Sequence, residues 1–217
     1  MSTAVVARFR NAVAAVAAAA AFVVTAPAVA APSVQLTLGA TEVTLSSEFV
    51  GALGSLGVKP DNVLPGALYA GSKGVRVAFP IPTGELDAAG PKLEILHSGG
   101  LTLTAGSTRV ALTSFVIENI NAEGKLQLTG VVKANNDIVG RIPLFDIELT
   151  SAPQVSQPNA GRFLGISFSN LSIRGANVTL AEPAAGALNA VFGVSAFTKG
   201  FPIGVAAVSA RVSDLDK

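Results

Sequence analysis

The sequence predicts a mainly β chain: an antiparallel β-sandwich or open barrel carrying two short helices. Three observations predict it. Apolar residues recur with period two over most of the chain, turn signals punctuate them, and two windows with helical spacing sit at matching places near the two ends. Val34, Leu36 and Leu38 alternate with Gln35 and Thr37, and Val43 and Leu45 flank Thr44. The habit continues at Leu101 and Leu103, at Leu126 and Leu128, and at Phe145, Ile147 and Leu149. It is looser through Phe163, Ile166, Phe168, Leu171 and Ile173. Such alternation marks strands with one face in a core and one in water.

Between these runs stand Ser98-Gly99-Gly100, Ala105-Gly106-Ser107, Asn121-Ala122-Glu123-Gly124, Asn135-Asn136-Asp137 and Pro158-Asn159-Ala160-Gly161. Glycine and asparagine tolerate turn conformations, so each cluster predicts a hairpin connection. The spacing of roughly ten residues is that of a sandwich or barrel. Pro143 and Lys133 are expected to guard exposed strand edges.

Ser46 to Leu56 places Phe49, Leu53 and Leu56 on one helical stripe, with Ser46 or Ser47 to cap it and Gly57 to end it. Pro183 to Phe192 places Ala184, Leu188 and Val191 on one stripe, with Pro183 in the first turn and Gly193 as the stop. The two windows belong to a pseudo-repeat. Val43-Thr44-Leu45 and Gly51-Ala52-Leu53 recur at the same spacing as Val178-Thr179-Leu180 and Gly186-Ala187-Leu188. The repeat-like ends are about 34–80 and 169–212, around a central meander at about 85–168. The first copy runs longer between Lys59 and Lys73, which predicts a functional loop holding Tyr69, the only tyrosine.

Residues 1–30 are predicted to be a signal peptide, and 31–217 a single β-rich domain. Arg8 and Arg10 precede an apolar run from Ala12 to Val24, followed by the small-residue end Ala28-Val29-Ala30. The run is shorter than the roughly 20 residues that cross a bilayer. The mature chain has no longer run and is close to neutral once Arg8 and Arg10 leave. The expected location is exported: periplasmic, cell-surface or extracellular.

Composition excludes many functions. Of 217 residues, 50% are hydrophobic and 13% charged, with no Cys, no Trp and a single His. Without cysteine there is no disulfide scaffold, zinc knuckle or thiol nucleophile. A formal net charge of +1 does not fit a nucleic-acid binder. A serine triad needs a His base, and His97 has no Gly-x-Ser-x-Gly elbow to serve. Glu85 and Asp87, or Asp146 and Glu148 with Arg141, are read as solvated strand and turn residues rather than a glycosidase pair. Asn135-Asn136-Asp137 is read as a turn rather than a cation loop. The chain is therefore expected to be non-catalytic. Its mean hydropathy of +0.55 points to an apolar groove or assembly surface.

The stretches Phe79-Pro80-Ile81-Pro82-Thr83-Gly84 and Leu93-Glu94-Ile95-Leu96-His97-Ser98-Gly99-Gly100-Leu101 resemble one element of the haem-transport-associated (Htaa) domain, in which a strand enters a His-Gly-rich turn. The closing stretch from Val178 to Gly204 resembles that domain's end. The resemblance spans about half of the mature chain. It implies an exported, β-rich, often surface-associated protein, whose haem-binding members use a tyrosine ligand supported by a histidine. His97 matches the histidine. Phe49 stands near the tyrosine's place, and the family's early tryptophan is missing. The expected function is an exported envelope β-domain that binds a partner protein or an apolar small molecule. The alternative is a haem-binding or haem-relay protein using His97, alone or with Tyr69.

Overall fold

The strands join edge to edge into one sheet that closes on itself. In the computed structural model the described residues are 33–87, 93–120, 125–135, 137–151, 154–156 and 168–214. The strands are β1 (Ser33–Leu45), β2 (Lys59–Val63), β3 (Ala67–Gly71), β4 (Gly74–Asp87), β5 (Leu93–Leu96), β6 (Gly100–Ala105), β7 (Thr108–Asn119), β8 (Leu126–Ala134), β9 (Asp137–Leu149), β10 (Gln154–Ser156), β11 (Phe168–Leu180) and β12 (Pro202–Asp214). The helices are α1 (Ser47–Ser55) and α2 (Glu182–Phe192).

Eight strands form the ring in the order β5-β4-β1-β12-β11-β9-β8-β7, and β7 pairs with both β8 and β5 to close it. Every pairing is antiparallel. This corrects the expectation of a sandwich or open barrel. Lys133 guards no edge, because it pairs with Ala111 of β7 and with Ile138 of β9. Pro143 pairs with Thr129 of β8 and lies beyond the β11–β9 ladder, which ends at Phe145, so it stands on a locally unpaired side of β9 where a proline is tolerated.

The remaining strands are additions. β5 and β6 lie end to end along the same edge of β7, so Ser98-Gly99-Gly100 is a break within one line of strand rather than a hairpin turn. Beyond the break β2 pairs with β6 and β3 with β4. The segment expected as a functional loop, Lys59 to Lys73, is therefore largely two short strands. β10 flanks the first half of β11. The turns at Ala105-Gly106-Ser107 and at Asn135 do join hairpins. Those at 121–124 and 158–161 lie outside the described residues, as do Phe163 and Ile166.

Both helices form where spacing and caps predict. The Ser46 hydroxyl accepts from the Phe49 amide at 3.0 Å and caps α1, and Phe49 and Leu53 face the core. Pro183 sits in the first turn of α2, and Gly193 ends it in the left-handed conformation. α2 joins β11 directly to its antiparallel neighbour β12, whereas the chain leaves α1 through β2 and β3 before it reaches β4, the antiparallel neighbour of β1. The β1–β12 ladder joins the two ends of the chain.

The interior divides into two storeys. One holds Leu36, Ile81, Ile95, Ile117 and Leu171 in a tight cluster. The other, at the helical end, holds Phe49, Leu53, Val77, Phe79, Leu144, Leu180 and Leu188.

Candidate ligand cavity

The helical storey is not filled. It encloses a cavity of about 260 Å³, walled by Val77, Phe79, Phe115, Val132, Leu144 and Val178 among others. Eight-stranded barrels have an interior just wide enough for side chains to fill or for one small ligand. α1 contributes Phe49, and α2 contributes Ala184, Ala187, Leu188, Ala190 and Val191. Val139, 53% exposed, and the exposed Ala190 both line the space, so it reaches the surface between the β8–β9 hairpin and α2.

Two polar residues line the cavity, Thr41 and His97, and no described residue lining it is charged. They mark the level where the two storeys meet. Thr41 lies on β1 opposite Phe79 and Val208. His97 lies in the break between β5 and β6. Its amide donates to the Phe115 carbonyl at 2.8 Å, and the Ser98 amide donates to the Pro80 carbonyl at 2.9 Å, so the break is stitched to β7 and β4. Gly99 lets the chain turn here with φ at 85°; a Cβ on it would meet the Gly66 amide nitrogen at 2.3 Å.

His97 is 5% exposed, and its Nε2 lies 2.7 Å from Thr41 Oγ1. Its Nδ1 forms no hydrogen bond. Burial disfavours the imidazolium and lowers the pKa from 6.5 to about 4; the carbonyls of Phe115 and Ile95 oppose this shift without cancelling it. The ring is neutral at pH 7. Of the pair's two hydrogen-bond arrangements, a hydroxyl donating to Nε2 puts the ring proton on Nδ1, and Nε2–H donating to the hydroxyl leaves Nδ1 bare.

Tyr69 is placed elsewhere. It lies on β3, 48% exposed, opposite Arg76, whose guanidinium sits 5.7 Å from the ring centroid and also pairs with Glu42 at 2.9 Å. His97 is buried inside the barrel and Tyr69 stands on its outer surface, so the structure does not bring the two together. It does bring Phe49 and His97 to one cavity. Asp146 and Glu148 line a separate outer groove with Lys125, while Arg141 donates to Thr129 Oγ1 away from it. Among the described residues no group of three His, Asp or Glu is gathered for a metal.

Thr41 is the site residue that sequence reasoning missed. Its signal is a phase break: Leu36 is inward at an even position, and Val43 and Leu45 continue at odd ones. The extra residue between Thr37 and Gly39, opposite β12, resets the alternation. It turns Thr41 inward to 3% exposure and leaves Leu38 outside at 69%.

No family model and no curated protein matches the chain. Three solved structures are similar to it to different degrees. The C-terminal domain of HtaA from Corynebacterium glutamicum is 13% identical with a TM-score of 0.56, over 82% of this chain and 99% of that one. The N-terminal domain of HtaA from the same organism is 12% identical with a TM-score of 0.47, over 79% and 96%. The haem-binding protein HtaB, also from that organism, is 9% identical with a TM-score of 0.44, over 83% and 95%. The first of these carries the comparison, and in fold this chain resembles the Hta domains.

Proposed function

We propose that this chain is an exported, non-catalytic ligand-binding barrel of the bacterial envelope that holds an apolar small molecule in its helical storey. The enclosed apolar cavity carries the reading. A well-packed core leaves few voids larger than a water molecule, and an apolar space of about 260 Å³ is a binding volume. Export rests on the leader-like residues 1–30, with 31–217 as the mature single domain. Among the described residues no helix is long and apolar enough to cross a membrane. The two ends, about 34–80 and 169–212, are read as copies of one pseudo-repeat, whose common feature is a helix laid over the same storey.

The haem reading is the alternative, and one observation favours it: His97 and Phe49, the residue near the family tyrosine's place, face the same cavity. It requires iron to accept a neutral imidazole already bonded to Thr41, without help from Tyr69.

Xenon binding to residues 31–217, followed by methyl chemical shifts, tests the first reading. The expected result is shifts at Val77, Leu144 and Val178. Shifts confined to outward methyls such as Ile138 would sink it. A haemin titration beside it, read through the Soret band, is expected not to saturate and to ignore His97→Ala and Tyr69→Phe. Saturable binding weakened by His97→Ala would establish the alternative.

A further inference from the structure

We propose that the barrel selects a compact, uncharged, apolar molecule and rejects carboxylate-bearing ligands. This rests on reading the cavity as the ligand site, and it specifies the ligand's class from the chemistry of the walls.

Size sets the first limit. An engineered apolar cavity of about 150 Å³ takes benzene, so a space of about 260 Å³ takes a molecule of roughly ten to twelve heavy atoms. Below it the space does not continue: Leu36, Ile81 and Ile95 are at most 1% exposed and fill the next storey. A long chain therefore cannot thread through the barrel.

Charge sets the second limit. The lining offers no basic side chain to a carboxylate. The basic residues on or beside the β8–β9 hairpin, Lys133, Arg141 and Arg109, are exposed, and Arg141 is bonded to Thr129. On the floor Thr41 Oγ1 and His97 Nε2 are spent on each other, and the polar atom left over, His97 Nδ1, belongs to a neutral ring. A buried carboxylate would lie without a counter-charge, the arrangement that burial penalises most. The α2 side of the opening, Ala187, Ala190 and Val191, is equally apolar.

Naphthalene and 2-naphthoate, matched in ring size and differing in charge, test this on residues 31–217 at pH 7. The chain has no Trp, so naphthalene fluorescence is read against little background. Naphthalene is expected to bind one-to-one and at least 30-fold more tightly than 2-naphthoate, and Val178→Phe, which fills the space, is expected to abolish binding. If that variant fails to fold, methyl shifts on the unmodified chain locate the probe instead, and shifts on the outer surface alone overturn the inference. Equal or tighter binding of 2-naphthoate overturns the ligand class and leaves the ligand-binding reading intact. Saturable haemin binding that His97→Ala removes also overturns the ligand class and puts the haem alternative in place of the apolar reading. If neither naphthyl probe binds and xenon also leaves the cavity methyls unmoved, the ligand-binding reading falls together with the inference.

Discussion

His97 ties the stability of the barrel to pH. Its pKa is 6.5 in an open chain and about 4 in the barrel. Below pH 6.5 the unfolded chain takes up a proton that the folded chain refuses. Stability is therefore full above 6.5 and falls as pH drops toward 4, by about 1.4 kcal/mol per pH unit and about 3 kcal/mol in all. Urea midpoints measured from pH 7 to 5 are expected to fall in the native chain and to stay flat in His97→Leu; parallel slopes would show that other groups carry the effect. Thr41 belongs to the same unit. Thr41→Val keeps the shape but leaves Nε2 buried without its partner, at an expected cost of about 1–3 kcal/mol. Replacing both partners by apolar residues removes that orphan, so Thr41→Val with His97→Leu should cost less than the two single changes summed. An additive double-mutant cycle would mean that the 2.7 Å contact does no energetic work. Half of this pair was legible in the sequence: a lone His beside a Gly-Gly step stands out, whereas one threonine among many does not. Tyr69 misled for a related reason. A single tyrosine in a Pro/Gly-containing stretch looks like a loop residue free to face any site, but β3 pairs with β4 and fixes its side chain on the outer face.

At the scale of elements, β1 decides whether Thr41 reaches His97. The device is the irregularity at Leu38 and Gly39. Leu38 holds φ at 50°, and it packs little, being 69% exposed. That conformation costs a non-glycine residue roughly 1–2 kcal/mol. Leu38→Gly is expected to raise stability by up to about 1 kcal/mol, after the extra freedom glycine gives the unfolded chain, and to leave ligand affinity unchanged. Gly39 differs because β12 runs against it: a Cβ there would lie 2.4 Å from the Ser209 carbonyl oxygen and 2.7 Å from the Ala210 Cα. Gly39→Ala must push two paired backbones apart, so thermal melting is expected several degrees lower, with the His97 ring signals shifted as β1 moves. Melting unchanged in Gly39→Ala would mean that the β1–β12 ladder is looser than its register implies. The helices were read correctly from spacing and caps, because those signals are local: Ser46 reaches only as far as Phe49. The break at His97 was misread as a hairpin because glycines report that the chain must bend. Whether the next strand turns back or carries on along β7 is set by Val110, Leu112 and Phe115, which lie more than ten positions on.

At the scale of the whole molecule, alternation told which face of each strand is buried but not what covers it. A sandwich covers that face with a second sheet and a barrel with its own far wall. The two differ only in long-range pairings such as β7 with β8 and β1 with β12, which no local pattern encodes. The cavity was equally illegible, because its volume is the difference between the ring's size and the side chains that fill it. The lower storey spends its space on Leu36, Ile81, Ile95 and Ile117. The upper is roofed by alanines of α2 and walled partly by valines, and it comes up short. This difference has a mechanical consequence. Unfolding eliminates internal voids, so pressure favours the unfolded chain in proportion to the void lost. The barrel is expected to unfold with a volume change at the more negative end of the roughly −20 to −100 mL/mol range. Val132→Phe places a ring into the cavity, and in pressure-dependent NMR it should make that change less negative even if overpacking lowers stability by about 1–3 kcal/mol. The two quantities separate the explanations: a variant that only strains the wall lowers stability at unchanged volume, whereas one that fills the space changes the volume whatever the sign of the stability change. An unaltered volume in Val132→Phe would mean that the upper storey is wet or collapsed in solution. In that case the barrel would hold no dry space for a ligand.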